Sequence, residues 1–392
     1  MSDKIAIQSF GRTIKIQRLI GKIKGNSKGP TIIAIGGIHG NEKAGVQALL
    51  NVFDSLKNNK ISINGNFYGI AGNLEALQQN KRFIEVDLNR IWTSNNFNNT
   101  IKEKDLTHEY LQQIEIYNLI KSILKEEKGP FYFLDLHTTS ANTAPFITIS
   151  DSLNNRKFST NFNIPIILGI EEYLDEPLLS YVNKFGHVAL GFEGGQHTDI
   201  GSVAATESFL YLALEATNCI KKSQLKNFKR HQYRLQAFKK GKDFFEIKYR
   251  HEIINKANFI MLPGFKNFDT VYTNQLLAYH NGKSVKSHLT GEIFLPLYQA
   301  KGTDGFFLIQ EISNTWIILS KFLRKLNLHA FLRLLPGIKK HKFQSNTLIV
   351  NPKIASFFTT DFFHLFGYRK KILEQNKWLF TKRDKKVRAL QH

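Results

Sequence analysis

With 392 residues, 42% of them hydrophobic and 32 of them Phe, the chain can bury a sizeable core, which excludes a wholly disordered protein. Its one cysteine, Cys219, excludes an intramolecular disulfide and any cysteine-based zinc site, as expected of a reducing compartment. The net charge of +22 is uneven, because from Lys321 onward 17 Lys and Arg stand against 3 Asp and Glu.

In chain order, TIIAIG at 31–36 has strand length and ends in paired glycines, and residues 44–56 behind it carry apolar side chains at helical spacing. A second strand is predicted over 66–72, leading through Asn73, a plausible N-cap, into a helix over 73–79. A long amphipathic helix over 106–124 stops at Lys-Gly-Pro, and FYFLDLH at 131–137 reads as a buried strand. Further strands are predicted over 146–150, 164–169 and 188–192, with helices over 177–184 and 202–219. This alternation argues for an α/β sheet covered on both faces. Past about residue 225 the texture becomes short strands with Pro-Gly and Asn-Gly punctuation, the pattern of a small all-β module reaching about 312. Residues 316–335 then form a basic amphipathic helix candidate, followed by a patch holding Phe357, Phe358, Phe362, Phe363 and Phe366 and by a polar, frayed end.

Four short segments carry chemistry. His39 and Glu42 stand three apart in a glycine-flanked strand-to-helix loop, where an imidazole and a carboxylate can face one cation. Asp135 and His137 end a buried strand, and the period of two puts both on one side. His137 is then a third ligand with Asp135 behind it, or else a hydrogen-bonded core histidine. Arg82, Asn89 and Arg90 lie in a charged loop suited to gripping carboxylates, although a solvated loop has the same composition. Glu193 is delivered by an apolar strand into Gly-Gly, an unusual place for a purely solvating acid. Together these make a recipe: two His and one Glu holding Zn²⁺, a free carboxylate for proton transfer, and arginines for an oxyanion and an anionic substrate.

GGIHGNE at 36–42, RFIEVDLNR at 82–90, DLHTTS at 135–140 and GFEGG at 191–195, in this order, resemble the succinylglutamate desuccinylase/aspartoacylase family, a branch of the zinc-carboxypeptidase-like fold. PGFKNFDTVY at 263–272 and GEIFLPLYQAKGTDGFF at 291–307 are similar to the family's C-terminal β module. The resemblance implies one zinc per chain, held by His39, Glu42 and His137. It implies Glu193 as general base, Arg82 at the oxyanion, and Asn89 and Arg90 on the substrate carboxylate. The implied fold is a mixed central sheet with helices on both faces. The implied reaction is hydrolysis of the amide in a small anionic N-acyl amino acid. A further arginine that aspartoacylases carry about ten residues before the base is missing, since 181–184 reads Tyr-Val-Asn-Lys.

Three units are therefore expected: a catalytic α/β domain over 1–225, a β module over 226–313 capping the site, and a basic helical extension over 314–392. Two other readings share the scaffold, a zinc carboxypeptidase acting on a peptide C-terminus and a non-catalytic binding protein. The charge of the extension is compatible with nucleic acid or an anionic membrane, but Lys on solvated faces is the plainer account. Without a signal-like N-terminus or a run of roughly 18 apolar residues, the expectation is a soluble, cytoplasmic protein.

Overall fold

The computed structural model describes residues 4–92, 108–174, 177–225, 227–236, 244–253, 258–299, 302–344, 346–354, 360–372 and 377–387. The first two residues of the helix expected at 106–124, Phe357, Phe358 and the last five residues of the chain lie outside them.

A hairpin of β1 (Ile5–Ser9) and β2 (Arg12–Ile16) precedes β3 (Leu19–Lys24), β4 (Asn26–Gly36) and β5 (Asn64–Ala71). Then come β6 (Phe131–Thr139), β7 (Phe146–Ile149), β8 (Ile166–Leu168) and β9 (Val188–Gln196). Strands β5, β4, β6 and β9 run parallel, and the sense reverses where β7 pairs antiparallel with β9. The expected helices appear as Ala44–Asn58, Leu74–Gln79, His108–Glu126, Leu178–Asn183 and Ile200–Ala216.

Strand β4 is apolar without alternation because both of its faces are covered. Ile32 and Ala34 pack with Leu49, Val52 and Phe209 of the helices on one side. Ile33 and Ile35 pack with Ile116, Ile120 and Ile123 of helix His108–Glu126 on the other. The long helix and the pair Ala44–Asn58 and Ile200–Ala216 thus clamp the sheet from opposite faces.

The texture change near 225 does not break this sheet. A short helix, Phe228–Gln236, is followed by β10 (Phe244–Glu252), which pairs in parallel with β8. Beyond β11 (Phe259–Met261), β12 (Thr270–Val271), β13 (Leu276–His280) and β14 (Lys283–Lys286) come β15 (Gly291–Phe294) and β16 (Asp304–Glu311). The 11-stranded sheet has the order β12-β15-β16-β10-β8-β7-β9-β6-β4-β5-β3, while β11, β13 and β14 form a sheet of their own.

The extension differs from the expected helical tail. Its helix, Asn314–Lys325, ends ten residues before 335, where Asn327 turns left-handed ahead of a 3₁₀ stretch at Leu328–Leu334. A four-stranded antiparallel sheet follows, built from β17 (Ile338–Lys340), β18 (Thr347–Val350), β20 (Trp378–Lys382) and β19 (Tyr368–Ile372). These strands are three to five residues long and three of the four contain Lys, so they leave little periodicity to read. Among the described residues no helix is long and apolar enough to cross a membrane.

Candidate metal centre

Strand β4 ends at Gly36, and the chain must turn at once to enter the next helix. Gly37 does so at φ +77, a conformation that favours glycine, and Gly40 lies so near the Ala76 backbone that a Cβ would come within 2.0 Å of its carbonyl carbon. This tight loop points His39 and Glu42 back over the sheet, with Glu42 N–H donating to the His39 carbonyl at 3.1 Å.

Strand β6 lies beside β4 and brings His137 to the same rim. The Glu42 carboxylate sits between the two imidazoles, Oε1 2.8 Å from His39 Nδ1 and Oε2 2.9 Å from His137 Nδ1. All three side chains are buried, and one ligand atom from each lies within 4.8 Å of the others. The second nitrogen of each ring faces a carboxylate: His39 Nε2 is 3.1 Å from Asp87, and His137 Nε2 is 2.8 Å from Asp135. Carboxylates behind the rings fix ring orientation, as metal-ligating histidines require. Donor set, convergence and burial therefore fit a divalent cation such as zinc.

The registered pairing of β6 with β9 places Glu193 opposite His137. Its Oε2 is buried without a hydrogen-bond partner. Burial pushes its carboxyl up to about 8, against the pull of His137. In contrast, Glu42 lies well below the usual carboxylate range, since His39 and His137 outweigh its burial. Arg82 reaches the same cluster, with Nη1 3.4 Å from Glu42 and Nη2 3.3 Å from Asp87.

His39, Glu42, His137, Glu193 and Arg82 are thus gathered at one rim. Asn89 and Arg90 follow on the 3₁₀ turn Leu88–Arg90 and face neighbouring elements: Asn89 Oδ1 accepts from Leu178 N at 3.0 Å, and Arg90 lies 3.4 Å from Asp304. Arg250 of β10 contacts the other oxygen of Asp304 at 2.6 Å, so two guanidinium groups share this carboxylate.

Sequence reasoning missed several supports. Glu109, fully buried, accepts hydrogen bonds from Asn73 and from the backbone N–H groups of Ile84, Glu85 and Val86, pinning the loop that presents Arg82 and Asp87. Asp87 was visible only as one acid in a charged loop. His197, 2.7 Å from Thr138 Oγ1, and Gln299, 3.2 Å from Asn41, bring a strand-following turn and the 226–313 segment to the rim. No spacing in the sequence links such distant pairs.

The fold and the site together define a mixed α/β protein whose parallel strands deliver a buried His/Glu/His cluster and a free acid to one rim. Residues 28–206 match the succinylglutamate desuccinylase/aspartoacylase catalytic domain. A succinylglutamate desuccinylase of Photorhabdus laumondii is 27% identical over 138 residues, covering 34% of this chain and 40% of that protein. A probable aspartoacylase of Acaryochloris marina is 31% identical over 116 residues, 28% of this chain and 35% of its own length. The matched segments thus span well under half of these relatives. Among solved structures, a succinylglutamate desuccinylase from Vibrio cholerae shares the fold at TM-score 0.57 and 16% identity, covering 79% of this chain and 91% of that one. A succinylglutamate desuccinylase/aspartoacylase from Rhodobacter sphaeroides does so at TM-score 0.55 and 15% identity, covering 77% and 90%.

Proposed function

We propose that this chain is a zinc-dependent amidohydrolase that removes the acyl group from a small anionic N-acyl amino acid. The observation that carries the reading is the convergence of His39, Glu42 and His137 beside a buried, unpartnered Glu193 oxygen. The three ligands would hold the ion, and the chemistry supplied when it is bound is Lewis acidity toward water and the scissile carbonyl.

The remaining work falls to the chain. Glu193 takes a proton from the attacking water at its carboxylate and passes it to the departing amine. Each positive charge placed near it draws its raised pKa back toward ionisation. Arg82 lies against the ligand Glu42, where its guanidinium can neutralise an anionic carbonyl oxygen. Asn89 and Arg90 would orient the substrate carboxylate, which competes with Asp304 for Arg90. Gln299 and Tyr298 touch Asn41 and Ser140 at the rim, an approach better suited to a small molecule than to a peptide.

The test is metal content of the purified protein beside His39→Ala, with amine release from a panel of N-acetyl and N-succinyl amino acids. About one zinc per chain in the wild type, lost in the variant, with turnover of one acyl class, is the expected result. Absence of zinc from both proteins would sink the reading.

A further inference from the structure

Helix Asn314–Lys325 turns Ile317, Ser320 and Arg324 inward, Ile317 half-buried against the core and the Arg324 side chain without exposure. The charged member of this inward face meets Asp151, a fully buried carboxylate just after β7. Arg324 Nη2 reaches it at 2.9 Å, beside Arg156 and Arg369. Turning Arg324 inward turns the apolar stripe of the same helix outward: Ile318 is 66% exposed, Phe322 58% and Leu326 53%, with Leu319 and Trp316 also exposed. At 3.6 residues per turn, Ile318, Phe322 and Leu326 lie on one line along the helix, and Lys321 and Lys325 border it. Both lysines are exposed and stand in no ion pair among the described residues. Apolar exposure continues in Phe331 and Leu334, beside exposed Arg333, Lys339 and Lys340.

A contiguous apolar stripe of this size is costly in water unless something covers it. The charge around it selects the occupant. A second copy would bring the same excess of cations to the contact. Nucleic acid answers the charge but leaves the aliphatic side chains uncovered. An anionic lipid surface meets both, since the apolar side chains enter the acyl boundary while the lysines stay among the headgroups. We propose that the outward face of helix Asn314–Lys325, with the following 3₁₀ stretch, docks the protein on an anionic membrane surface. The docking is peripheral, stands independently of the hydrolase reading, and needs no spanning helix.

The test is flotation of the full chain with vesicles of phosphatidylcholine alone or mixed with phosphatidylglycerol. The variants are Phe322→Ser/Leu326→Ser and Lys321→Glu/Lys325→Glu, all at exposed positions where folding tolerates change. Circular dichroism melts like that of the wild type establish that they fold. The wild type is expected to float with the anionic vesicles only, and each double variant to lose roughly tenfold or more of its partitioning. Four results would overturn the proposal: a wild type that stays unbound, variants that float equally well, a dimer dissociated by Phe322→Ser/Leu326→Ser without vesicle binding, or duplex DNA binding without flotation.

Discussion

At the scale of single residues, two carboxylates at one rim of the sheet, Glu42 in the loop after β4 and Glu193 on β9, have opposite environments. Glu42 is held ionised by two imidazoles that outweigh its burial, whereas Glu193 has a buried oxygen with no partner and a raised pKa. A carboxylate committed to a cation and one left to carry a proton should differ in this way. Glu193→Gln keeps the size of the side chain and removes its proton transfer. It should lower kcat by about 10²–10⁴-fold with KM and zinc content little changed. Steady-state kinetics on the substrate found in the panel, with metal analysis of the same preparation, checks this. A kcat within a few-fold of wild type would remove Glu193 from the role. That these side chains gather at one rim was legible in the sequence because His39, Glu42, His137 and Glu193 each sit at or just past the end of an apolar strand, His39 and Glu193 beside glycines. Asp87 and Glu109 do not, because an acid in a charged loop and an acid in the first turn of a helix look ordinary until the chain is folded.

At the scale of elements, the loop over 82–87 has little secondary structure of its own, yet it must hold Arg82 and Asp87 against the cluster. Glu109, in the first turn of helix His108–Glu126, accepts three of the loop's backbone N–H groups. Glu109→Ala would leave those buried donors unpaired, at about 1–3 kcal/mol for each group left without a partner. The expected outcome is a lower urea midpoint and a lower kcat/KM, with zinc content kept, because His39, Glu42 and His137 are placed by other elements. Loss of zinc together with activity would show instead that the helix supports the whole cluster. The order of strands and helices from β4 to β9 could be read from the sequence, since the main strands are continuous apolar runs and the helices between them keep apolar residues at helical spacing. The extension could not be read so far. Its helix gave the right period, but a period does not say which side faces inward. Its direction was decided by Asp151, which lies 173 positions away in sequence.

At the scale of the whole molecule, the extension is joined to the catalytic domain by a buried network of charge. Asp151 meets Arg156 from its own domain and Arg324 and Arg369 from the extension, and these three arginines outweigh its burial and hold it well below the usual carboxylate range. Arg369 also pairs with Glu246 of β10 at 2.5 Å, and His364 bridges Glu246 at 2.5 Å and Glu172 at 2.8 Å. Arg369 and Lys248 supply the positive charge among Glu246, Asp361 and His364, so this second group of ligand-type side chains needs no ion. Asp151→Asn would leave three guanidinium groups short of their shared partner and should cost about 3–5 kcal/mol in denaturant unfolding. A loss below 1 kcal/mol would show that the network is not holding the two parts together.

The same network sets a dependence on pH. Burial and Arg369 oppose the charge of His364, but Glu172 and Glu246 prevail and raise its pKa. A group raised in the folded state adds stability that is complete below its unfolded pKa, near 6.5, and fades as pH climbs through the raised value. Asp151, being depressed, adds stability that is present above about 4 and is lost as pH falls toward its folded value. Between about 4 and 6.5 both contributions are therefore present. Thermal melts of the wild type and His364→Gln across pH 5 to 9 isolate the histidine. The gap in Tm should be widest at the acid end and should narrow as pH rises, because Glu172 and Glu246, which Arg369 also holds below the usual carboxylate range, stay ionised over this interval while the histidine loses its proton. A gap that widens with pH would mean that His364 is buried as the neutral ring and that Glu246 relies on Arg369 alone.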